Sequence, residues 1–433
     1  MPTLALWTVD DMLRTQAGKT RTHARSKRII IALETLCSLA VVAVLVYFIA
    51  FNPIENRNSA GNSLAFTESA ELKNVYQGNE PDCPERYCIS VTVNGDLLFH
   101  PALWDNFQAG NTYDFAPLFA AESQYYAKTD IAVCNFETPI AEKGGPYAGY
   151  PVFNIPPEVA DAVKNAGYDA CTTATNHSFD QGTAGINRLI DTLDSLDIKH
   201  TGSYKTDADS TEPLVIDTFG GKLALISATV SLNGMVADYD WQVDRMRDDE
   251  MRAHDVARAV TKAKLARDRG ADVVILGLHS VQEYLTTADS WQQSAAHELI
   301  DTGEFDFVYF HGAHSVQPLE KYNGVYIAYG LGNSLTVSAP PERFVNNQGL
   351  TLRAQFASKT RDTWFLAKLS YLPTFNKTGE NYAWCPLSSD HPNGYCTTES
   401  EDAEMYNRMT DIMFSMNVGR DDALLSEWTI SKE

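Results

Sequence analysis

The residues best suited to chemistry in this 433-residue chain follow short apolar runs, where predicted β-strands end. The pair Asn176-His177 follows the strand-like run 170–175 and precedes the helix-like run 186–193. Asn offers a carbonyl oxygen, and a neutral His offers a nitrogen that can bind a metal or move a proton. An isolated pair of this kind more often hydrogen-bonds a turn. The prediction of a site therefore depends on whether other strand ends supply matching groups.

Four other predicted strands end in carboxylate or imidazole groups. These groups are Asp96, Glu137, His279, and the pair His311 and His314. Because the carboxyl ends of parallel strands meet along one edge of a sheet, we expect these side chains to converge with Asn176-His177. Hard oxygen donors mixed with imidazoles suit Zn²⁺, Mn²⁺ or Fe rather than Ca²⁺. The sequence therefore predicts a site for a divalent transition metal (Mn, Zn or Fe).

The elements that must position these residues alternate from residue 89 onward between strand-like and helix-like runs. The predicted strands are 89–99, 131–136, 170–175, 222–230, 272–279, 306–311 and 324–329, and the predicted helices are 157–165, 185–196, 250–269 and 291–302. This alternation is typical of an α/β fold in which helices cover a sheet.

Two longer runs, 349–357 and 364–371, alternate apolar and polar residues, as antiparallel edge strands do. Beyond Pro373 the sequence is rich in loops and ends with an amphipathic segment near 404–416. We therefore predict a main domain over 89–373 and a C-terminal extension over 374–433.

The N-terminal part differs in composition from the rest. Residues 1–28 end in a basic cluster, and the apolar run 29–51 that follows has the roughly 20 residues needed to span a bilayer. The basic flank predicts a single transmembrane helix with a cytoplasmic leader and an outer main domain. A cleaved signal peptide is the alternative, but its apolar core is usually shorter, roughly 7–15 residues. Residues 52–88 are predicted to be an extracytoplasmic linker.

The composition indicates a globular protein with an acidic surface. The chain is 44% hydrophobic and 21% charged, so it can bury a large core without disulfides. Its net charge of −22 argues against a nucleic-acid partner and against electrostatic capture of a polyanion, because phosphates and carboxylates would be repelled.

Seven cysteines are spread unevenly along the chain. Cys134 and Cys171 lie in predicted core strands, where we expect them to act as small buried hydrophobic residues. Two close pairs, Cys83/Cys88 and Cys385/Cys396, lie in polar sequence and could form short-loop disulfides if this part of the chain is outside the cytoplasm.

The order of the strand-end motifs resembles the capsule-synthesis CapA family. The motifs that carry the resemblance are Gly95-Asp96, Asn135-Phe136-Glu137-Thr138, Ala174-Thr175-Asn176-His177-Ser178-Phe179-Asp180-Gln181-Gly182, His279 with Glu283-Tyr284, His311-Gly312-Ala313-His314-Ser315-Val316-Gln317-Pro318, and Tyr329-Gly330-Leu331-Gly332-Asn333. They cover about residues 89–335. The resemblance implies layered, metallophosphatase-like mixed sheets flanked by helices, and a role in poly-γ-glutamate capsule biosynthesis.

The resemblance also implies roles for individual residues. The implied metal ligands are Asp96, Glu137, Asn176, His279, His311 and His314. His177 would be the general acid, or the group that steadies a leaving oxygen, and Asp180 would orient it. The chemistry agrees, because Asp180 can select the tautomer of a histidine three residues away, and Glu137 could bridge two ions that activate a water.

Three of the motifs depart from the family pattern. His279-Ser280-Val281 replaces the usual His-Trp-Gly. Because valine cannot readily adopt a positive φ, we expect the backbone of this turn to be strained or to differ from that of the family. Phe310 replaces the first glycine of the His311 motif, and Gly330 replaces a serine. Asp96 is not followed by the Asp-x-His pattern of ordinary metallophosphatases, so both one and two metal ions stay open.

Three functions are compatible with these observations. The first is a membrane-anchored, extracytoplasmic hydrolase or transferase that acts on a phosphoester or γ-glutamyl amide of a surface polymer or its precursor. The second is a non-catalytic scaffold or export subunit that binds other capsule-synthesis subunits. The third, a soluble intracellular phosphodiesterase, conflicts with the predicted anchor and with the paired cysteines. His177 and Asp180 favour catalysis, because a structural metal does not need them.

Overall fold

The computed structural model describes residues 83–127, 129–337, 345–379, 382–389 and 397–428. The predicted leader (1–28), membrane helix (29–51) and all but the last six residues of the predicted linker lie outside the described residues. Within the described ranges, no helix has both the length and the apolar character needed to cross a bilayer.

The described residues form an alternating series of strands and helices. The strands are β1 Tyr87–Leu97, β2 Gln108–Ala109, β3 Thr112–Tyr113, β4 Ile131–Phe136, β5 Ala170–Thr172, β6 Lys199–Thr201, β7 Leu214–Asp217, β8 Lys222–Thr229, β9 Val273–His279, β10 Phe307–His311, β11 Leu319–Tyr322, β12 Val325–Ala328, β13 Asn333–Leu335, β14 Gln348–Ser358, β15 Phe365–Lys377, β16 Ala383–Pro386 and β17 Leu425–Glu427. The α-helices are α1 Pro101–Trp104, α2 Ala116–Tyr126, α3 Glu158–Ala166, α4 Gly182–Ser195, α5 Asp207–Thr211, α6 Arg252–Asp268, α7 Ser290–Ile300 and α8 Glu399–Met413.

Two mixed sheets contain nearly all of these strands. The first sheet has the order β16-β15-β14-β1-β4-β5-β6, with β13 paired to β1 and β17 paired to β15. The second has the order β11-β12-β10-β9-β8-β7. In the first sheet β1, β4, β5 and β6 are mutually parallel, and in the second β8, β9, β10 and β12 are mutually parallel. The predicted α/β class with mixed sheets is therefore confirmed.

The two sheets pack against each other through apolar side chains that alternate along their strands. Val91 and Val93 of β1 share one buried cluster with Leu225 of β8 and Ile275 of β9. The intervening residues of β8 and β9 face outward and join a second cluster with α6 and α7. Burial of each such aliphatic side chain contributes about 1.5–3 kcal/mol. Helices α2 and α3 cover the outer face of the first sheet, which gives a helix–sheet–sheet–helix arrangement.

The C-terminal region is more closely integrated than its sequence indicates. Strand β14 was predicted to lie at a sheet edge, but it lies between β1 and β15 and is buried along most of its length. The edge prediction for this strand is wrong, because polar residues such as Thr351 and Gln355 are covered by neighbouring elements rather than by solvent. Strand β15 continues through residue 373, and β16 and β17 from the extension pair with it.

Disulfides join two pairs of cysteines within the described residues. Cys83 pairs with Cys88, a disulfide that the sequence left open. Cys134 and Cys171 also form a disulfide, so the prediction that they are plain buried hydrophobic residues is wrong. They are opposite each other on the parallel strands β4 and β5, with Cα atoms 4.5 Å apart, a proximity that strand pairing creates. Cys385 is disulfide-bonded as well.

A buried polar cluster lies beneath the carboxyl end of β1. We call Asn94, Glu122, Tyr126, Tyr168 and Ser334 the Glu122 cluster. The Tyr126 hydroxyl donates to Glu122 at 2.9 Å, and the Ser334 hydroxyl donates to it at 3.1 Å. The Asn94 amide lies 2.8 Å from both the Tyr126 and Ser334 hydroxyl oxygens. The cluster ties β1 to α2 and β13, because Asn94, Glu122 and Ser334 belong to these elements.

Glu122→Gln is expected to abolish a decrease in the free energy of unfolding that the native chain shows as the pH rises. Burial raises the pKa of Glu122 from its ordinary value of 4.5 to about 8, so between these values the folded protein keeps a proton that the unfolded chain has released. The free energy of unfolding therefore falls as the pH rises between these two values, by at most about 1.4 kcal/mol per pH unit. Urea denaturation should show Glu122→Gln gaining stability over the native chain through this window. Glu250→Gln, at an exposed position, controls for the substitution itself, and a difference independent of pH would contradict the prediction.

Candidate metal centre

The carboxyl ends of the parallel strands from both sheets meet at one end of the sandwich. In the first sheet, Asp96 of β1 is in register with Asn135 of β4, and Asn333 pairs with Asp96 from the other side. In the second sheet, His279 of β9 is in register with His311 of β10. The convergence expected for one sheet edge is thus built from two sheets.

Asp96 is fully buried and surrounded by nitrogen atoms. His314 Nδ1 lies 3.0 Å from Asp96 Oδ2, and His311 Nδ1 lies 3.1 Å from Oδ1 but outside good hydrogen-bond alignment. The Asn135 amide donates to Oδ1 at 2.9 Å, and the Gly312 N–H donates to Oδ2 at 3.2 Å. Burial alone would raise the pKa of Asp96, but the contacts with His311 and His314 outweigh it and hold the pKa well below its usual range.

Glu137 differs from Asp96 because neither of its oxygens has a hydrogen-bond partner among the described residues. Its Oε1 lies 3.6 Å from His314 Nε2 and 3.9 Å from His279 Nε2. Burial raises the pKa of Glu137 well above its ordinary value, since a buried carboxylate without partners is costly to ionise. A cation bound between Glu137 and these imidazoles would compensate that cost.

The two histidines facing Glu137 have opposite electrostatic environments. Burial lowers the pKa of His279 to about 3, so its imidazole is neutral, as metal ligation requires. His279 Nε2 also lies 3.0 Å from the side-chain oxygen Oδ1 of Asn176. Burial lowers the pKa of His314 too, but the charges of Glu137 and Asp96 outweigh burial and raise it to about 10.

A glycine makes the close approach of the two histidine segments feasible. Gly312 has a φ of +82°, and a Cβ atom there would lie 2.1 Å from the Ser280 carbonyl oxygen and 2.7 Å from His279 Nε2. Any larger residue would separate the His311–His314 segment from His279. Glycine is therefore required at position 312 both by the positive φ and by the close packing against His279 and Ser280.

The donor set fits a divalent transition metal. Asp96, Glu137 and His314 each offer a ligand atom within 4.8 Å of the others, and all three residues are buried. His279 and His311 lie within 4 Å of Glu137 and Asp96, respectively, and Asn176 contacts His279, so a chain of short distances links all six residues predicted as ligands. Carboxylate, amide and imidazole donors match Mn²⁺, Zn²⁺ or Fe.

His177 and Asp180 form a second unit beside these residues. His177 Nδ1 lies 2.7 Å from Asp180 Oδ2, and the same oxygen accepts from the Phe153 N–H at 2.7 Å. The Phe153 ring packs edge-on against the His177 ring, with centroids 4.6 Å apart. This geometry favours the tautomer in which Nδ1–H donates to Asp180, which leaves Nε2 for a substrate atom.

The altered turn after His279 does not need a glycine. Val281 does not have a positive φ, so the backbone strain expected for a valine at this turn does not occur. The left-handed conformation occurs instead at Tyr284, with a φ of 67°, where the backbone N–H donates to the Ala313 carbonyl at 2.7 Å. Phe310, at the other departure, is a fully buried residue of β10.

Sequence reasoning gave no role to two residues that line this region. His100 lies at the start of α1, and its ring packs against Phe153 at a centroid distance of 5.1 Å. Burial, assisted by the charges of His314 and His177, lowers the pKa of His100 to about 4. Asn333 lies 3.0 Å from His314 Nδ1. The sequence carried a signal for both residues, because His100 directly follows the predicted strand 89–99 and Asn333 ends the Tyr329–Asn333 motif.

Comparisons with known proteins match the same part of the chain. The family model described as "Bacterial capsule synthesis protein PGA_cap" matches residues 90–337. A probable polyglutamine synthesis accessory protein of Mycobacterium tuberculosis is 28% identical over 213 residues, which cover 47% of this chain and 55% of that protein. The capsule biosynthesis protein CapA of Bacillus anthracis is 25% identical over 267 residues, 61% of each chain. The chain thus spans little more than half the length of these curated relatives.

A solved structure also aligns with the chain. The calcineurin-like phosphoesterase YfkN from Bacillus subtilis aligns with 75% of this chain and 97% of its own, at 14% sequence identity and a TM-score of 0.42. At that TM-score the likeness carries no argument about the site.

The full-length protein is expected to bind about one to two equivalents of a divalent transition metal, because Glu137 needs a cationic partner. His314→Ala should weaken metal binding at least about tenfold to a hundredfold, since it removes a donor that faces both carboxylates. His200→Ala is the matched control, because His200 pairs with the exposed Asp194 on the protein surface. Elemental analysis after dialysis, with folding checked by circular dichroism, measures the metal content. A folded native chain without metal would contradict the assignment.

Proposed function

Because the chain belongs to the bacterial capsule synthesis protein PGA_cap family, we propose that it acts in the biosynthesis of capsule or another cell-surface polymer of the poly-γ-glutamate type. We propose further that it is a metal-dependent hydrolase or transferase acting on a phosphoester or a γ-glutamyl amide. The observation that carries the proposal is the His177–Asp180 contact, which directly follows Asn176, a residue whose side chain contacts His279 among the buried donors.

The residues of the site divide into two chemical tasks. Asp96, Glu137, Asn176, His279, His311 and His314 would hold the metal, which supplies Lewis acidity toward a phosphoryl or carbonyl oxygen when bound. As the imidazolium, His177 would give its Nε2 proton to the leaving group, and the neutral imidazole that remains keeps its Nδ1–H on Asp180. Asp180 fixes the imidazole orientation through its 2.7 Å contact with Nδ1. Because the Phe153 ring packs against His177, the imidazole is shielded from bulk water on that side.

A non-catalytic scaffold or export subunit of a capsule-synthesis complex is the alternative function. It is favoured by the contacts of Asp96, whose oxygens have nitrogen partners in His314, Asn135 and Gly312. A fold stabilised in this way could persist without turnover. The His177–Asp180 pair argues for catalysis, because neither residue contributes to those contacts.

We propose that the main domain lies outside the cytoplasm and that residues 29–51 anchor it to the cell membrane as a single span with a cytoplasmic N-terminus. The disulfides Cys83–Cys88 and Cys134–Cys171 support this location, because disulfides persist in oxidising compartments. The basic residues before position 29 support the orientation.

His177→Ala is expected to lower kcat by about 10²- to 10⁴-fold while metal content stays unchanged, because the residue moves a proton and holds no metal. Activity would be measured on bis(p-nitrophenyl) phosphate and on γ-glutamyl-p-nitroanilide, with metal content measured on the same samples. Asp180→Asn should lower kcat less and shift its pH profile, and His200→Ala should leave activity unaltered. Equal turnover in the native chain and His177→Ala would remove the assigned role. Metal binding without turnover on either probe would favour the scaffold.

A reporter fused to the C-terminus tests the proposed topology. Alkaline phosphatase, which needs disulfides, should be active there, because the anchor would export the main domain. Green fluorescent protein fused at the same position should stay dark when exported through the general secretion route. A fluorescent fusion with inactive phosphatase would refute the orientation with the N-terminus inside.

A further inference from the structure

Exposed large apolar side chains are concentrated on three loops that contact the candidate site. Among the described residues nine such side chains are exposed, and seven of the nine lie on segments 147–153, 231–242 and 280–288, which we call the rim loops. The seven are Tyr150, Val152, Met235, Val236, Tyr239, Tyr284 and Leu285. Single exposed apolar residues are normal on a protein surface, but their concentration around one site indicates a binding surface.

Each rim loop is attached to the site by a specific contact. The first loop ends at Phe153, whose ring packs on His177 at a centroid distance of 4.6 Å. The second carries Asn233, whose amide nitrogen lies 3.4 Å from His177 Nδ1. The third carries Tyr284, whose ring centroid lies 6.3 Å from that of His314. The three loops therefore surround the residues proposed to perform the chemistry.

The third rim loop is held rigidly in its exposed position. The Gln317 amide donates to the carbonyl oxygens of Leu285 and Thr287 at 3.0 and 2.9 Å, and the Ser315 hydroxyl donates to Leu285 at 2.6 Å. Tyr284 keeps a left-handed backbone, which is uncommon for an aromatic residue and costs conformational energy. A preorganised exposed aromatic ring lowers the entropic cost of binding a ligand.

The charge of the rim loops disfavours polyanionic substrates. None of the three segments contains a lysine or arginine, whereas they carry Asp238, Asp240 and Glu283. The nearest arginine after the second loop is Arg245, whose guanidinium donates to the Thr229 and Val230 carbonyl oxygens and is thereby engaged with the backbone. The lysine nearest in sequence to a rim loop is Lys143, which precedes the first loop. A polyanion along this surface would meet repulsion from the rim as well as from the net charge of −22.

Resting on the phosphoester form of the proposed function, we propose that the rim loops bind an uncharged carbohydrate segment next to the reacting phosphoester, rather than a polyglutamyl chain. A sugar ring offers an apolar C–H face to an aromatic side chain and offers hydroxyl donors to carboxylate and amide oxygens. The second rim loop presents both partners. The rings of Tyr239 and Trp241 stack with centroids 5.4 Å apart and planes 11° from parallel, and Asn233 and Asp238 are exposed on the same loop.

Calorimetry on the metal-loaded, full-length protein in detergent tests this assignment. The probes are the hexasaccharides of N-acetylglucosamine and of α-1,4-linked glucose, and a γ-linked glutamate decamer at the same ionic strength. At least one hexasaccharide should bind more tightly than the decamer. Tyr239→Ala/Tyr284→Ala should raise its Kd by about tenfold or more. The matched control is Phe219→Ala/Phe365→Ala, which truncates two exposed aromatic residues outside the rim loops and should leave the Kd unchanged.

Three results would overturn the assignment: neither hexasaccharide binds, the glutamate decamer binds more tightly, or the control variant loses as much affinity as the rim variant. Metal content and hydrolysis of bis(p-nitrophenyl) phosphate are measured on the same samples. Metal-dependent hydrolysis without hexasaccharide binding would overturn the rim assignment and leave the proposed function standing. Rim-dependent hexasaccharide binding without metal or turnover would support the rim assignment and count against the proposed catalysis.

Discussion

The burial of two carboxylates, Asp96 and Glu137, where two sheets meet is the constraint on which the rest of this site depends. Removing a carboxylate from water is costly unless a positive or hydrogen-bonding group replaces the solvent. Asp96 meets this requirement with nitrogen atoms of His314, Asn135 and Gly312. Glu137 does not meet it within the described residues, since both of its oxygens lack hydrogen-bond partners. This asymmetry is the physical basis for expecting a cation there.

The scaffold around these carboxylates holds the strand ends at fixed separations. The inner faces of the two sheets share one apolar core, so neither sheet can slide without exposing aliphatic side chains. Beneath the site, the Glu122 cluster links β1 to α2 and β13, and the Cys134–Cys171 disulfide links β4 to β5. Strands β4 and β5 directly precede the segments that carry Glu137 and Asn176. Rigid elements of this kind preserve the short distances that a metal ligand set requires.

The acidic chain would attract an anionic group only where a cation is bound, whereas the surrounding loops would repel it. A divalent cation would reverse the local charge and let the site engage a phosphoryl or carbonyl oxygen despite the net charge of −22. The rim loops lack lysine and arginine, so they would not extend this attraction along an anionic chain. Their exposed aromatic residues instead suit a neutral ring. The proposed substrate thus has two recognised parts. The bound cation recognises its reacting oxygen by charge, and the rim loops recognise a flanking neutral ring by its shape and its hydroxyl groups.

The sequence by itself determined the donor types, their order along the chain, and the strands and helices that present them. These features are local: the periodicity of apolar residues predicted β4 at its observed bounds and β1, β9 and β10 to within about two residues. It also predicted that a His177–Asp180 contact was feasible, because three residues separate them. The tertiary structure alone decided that the donors come from two sheets, that β14 is internal, that Cys134 faces Cys171, and that His100 shares Phe153 with His177. Each of these depends on which distant segments become neighbours, and that choice is made by packing of the whole core rather than by any local pattern of residues.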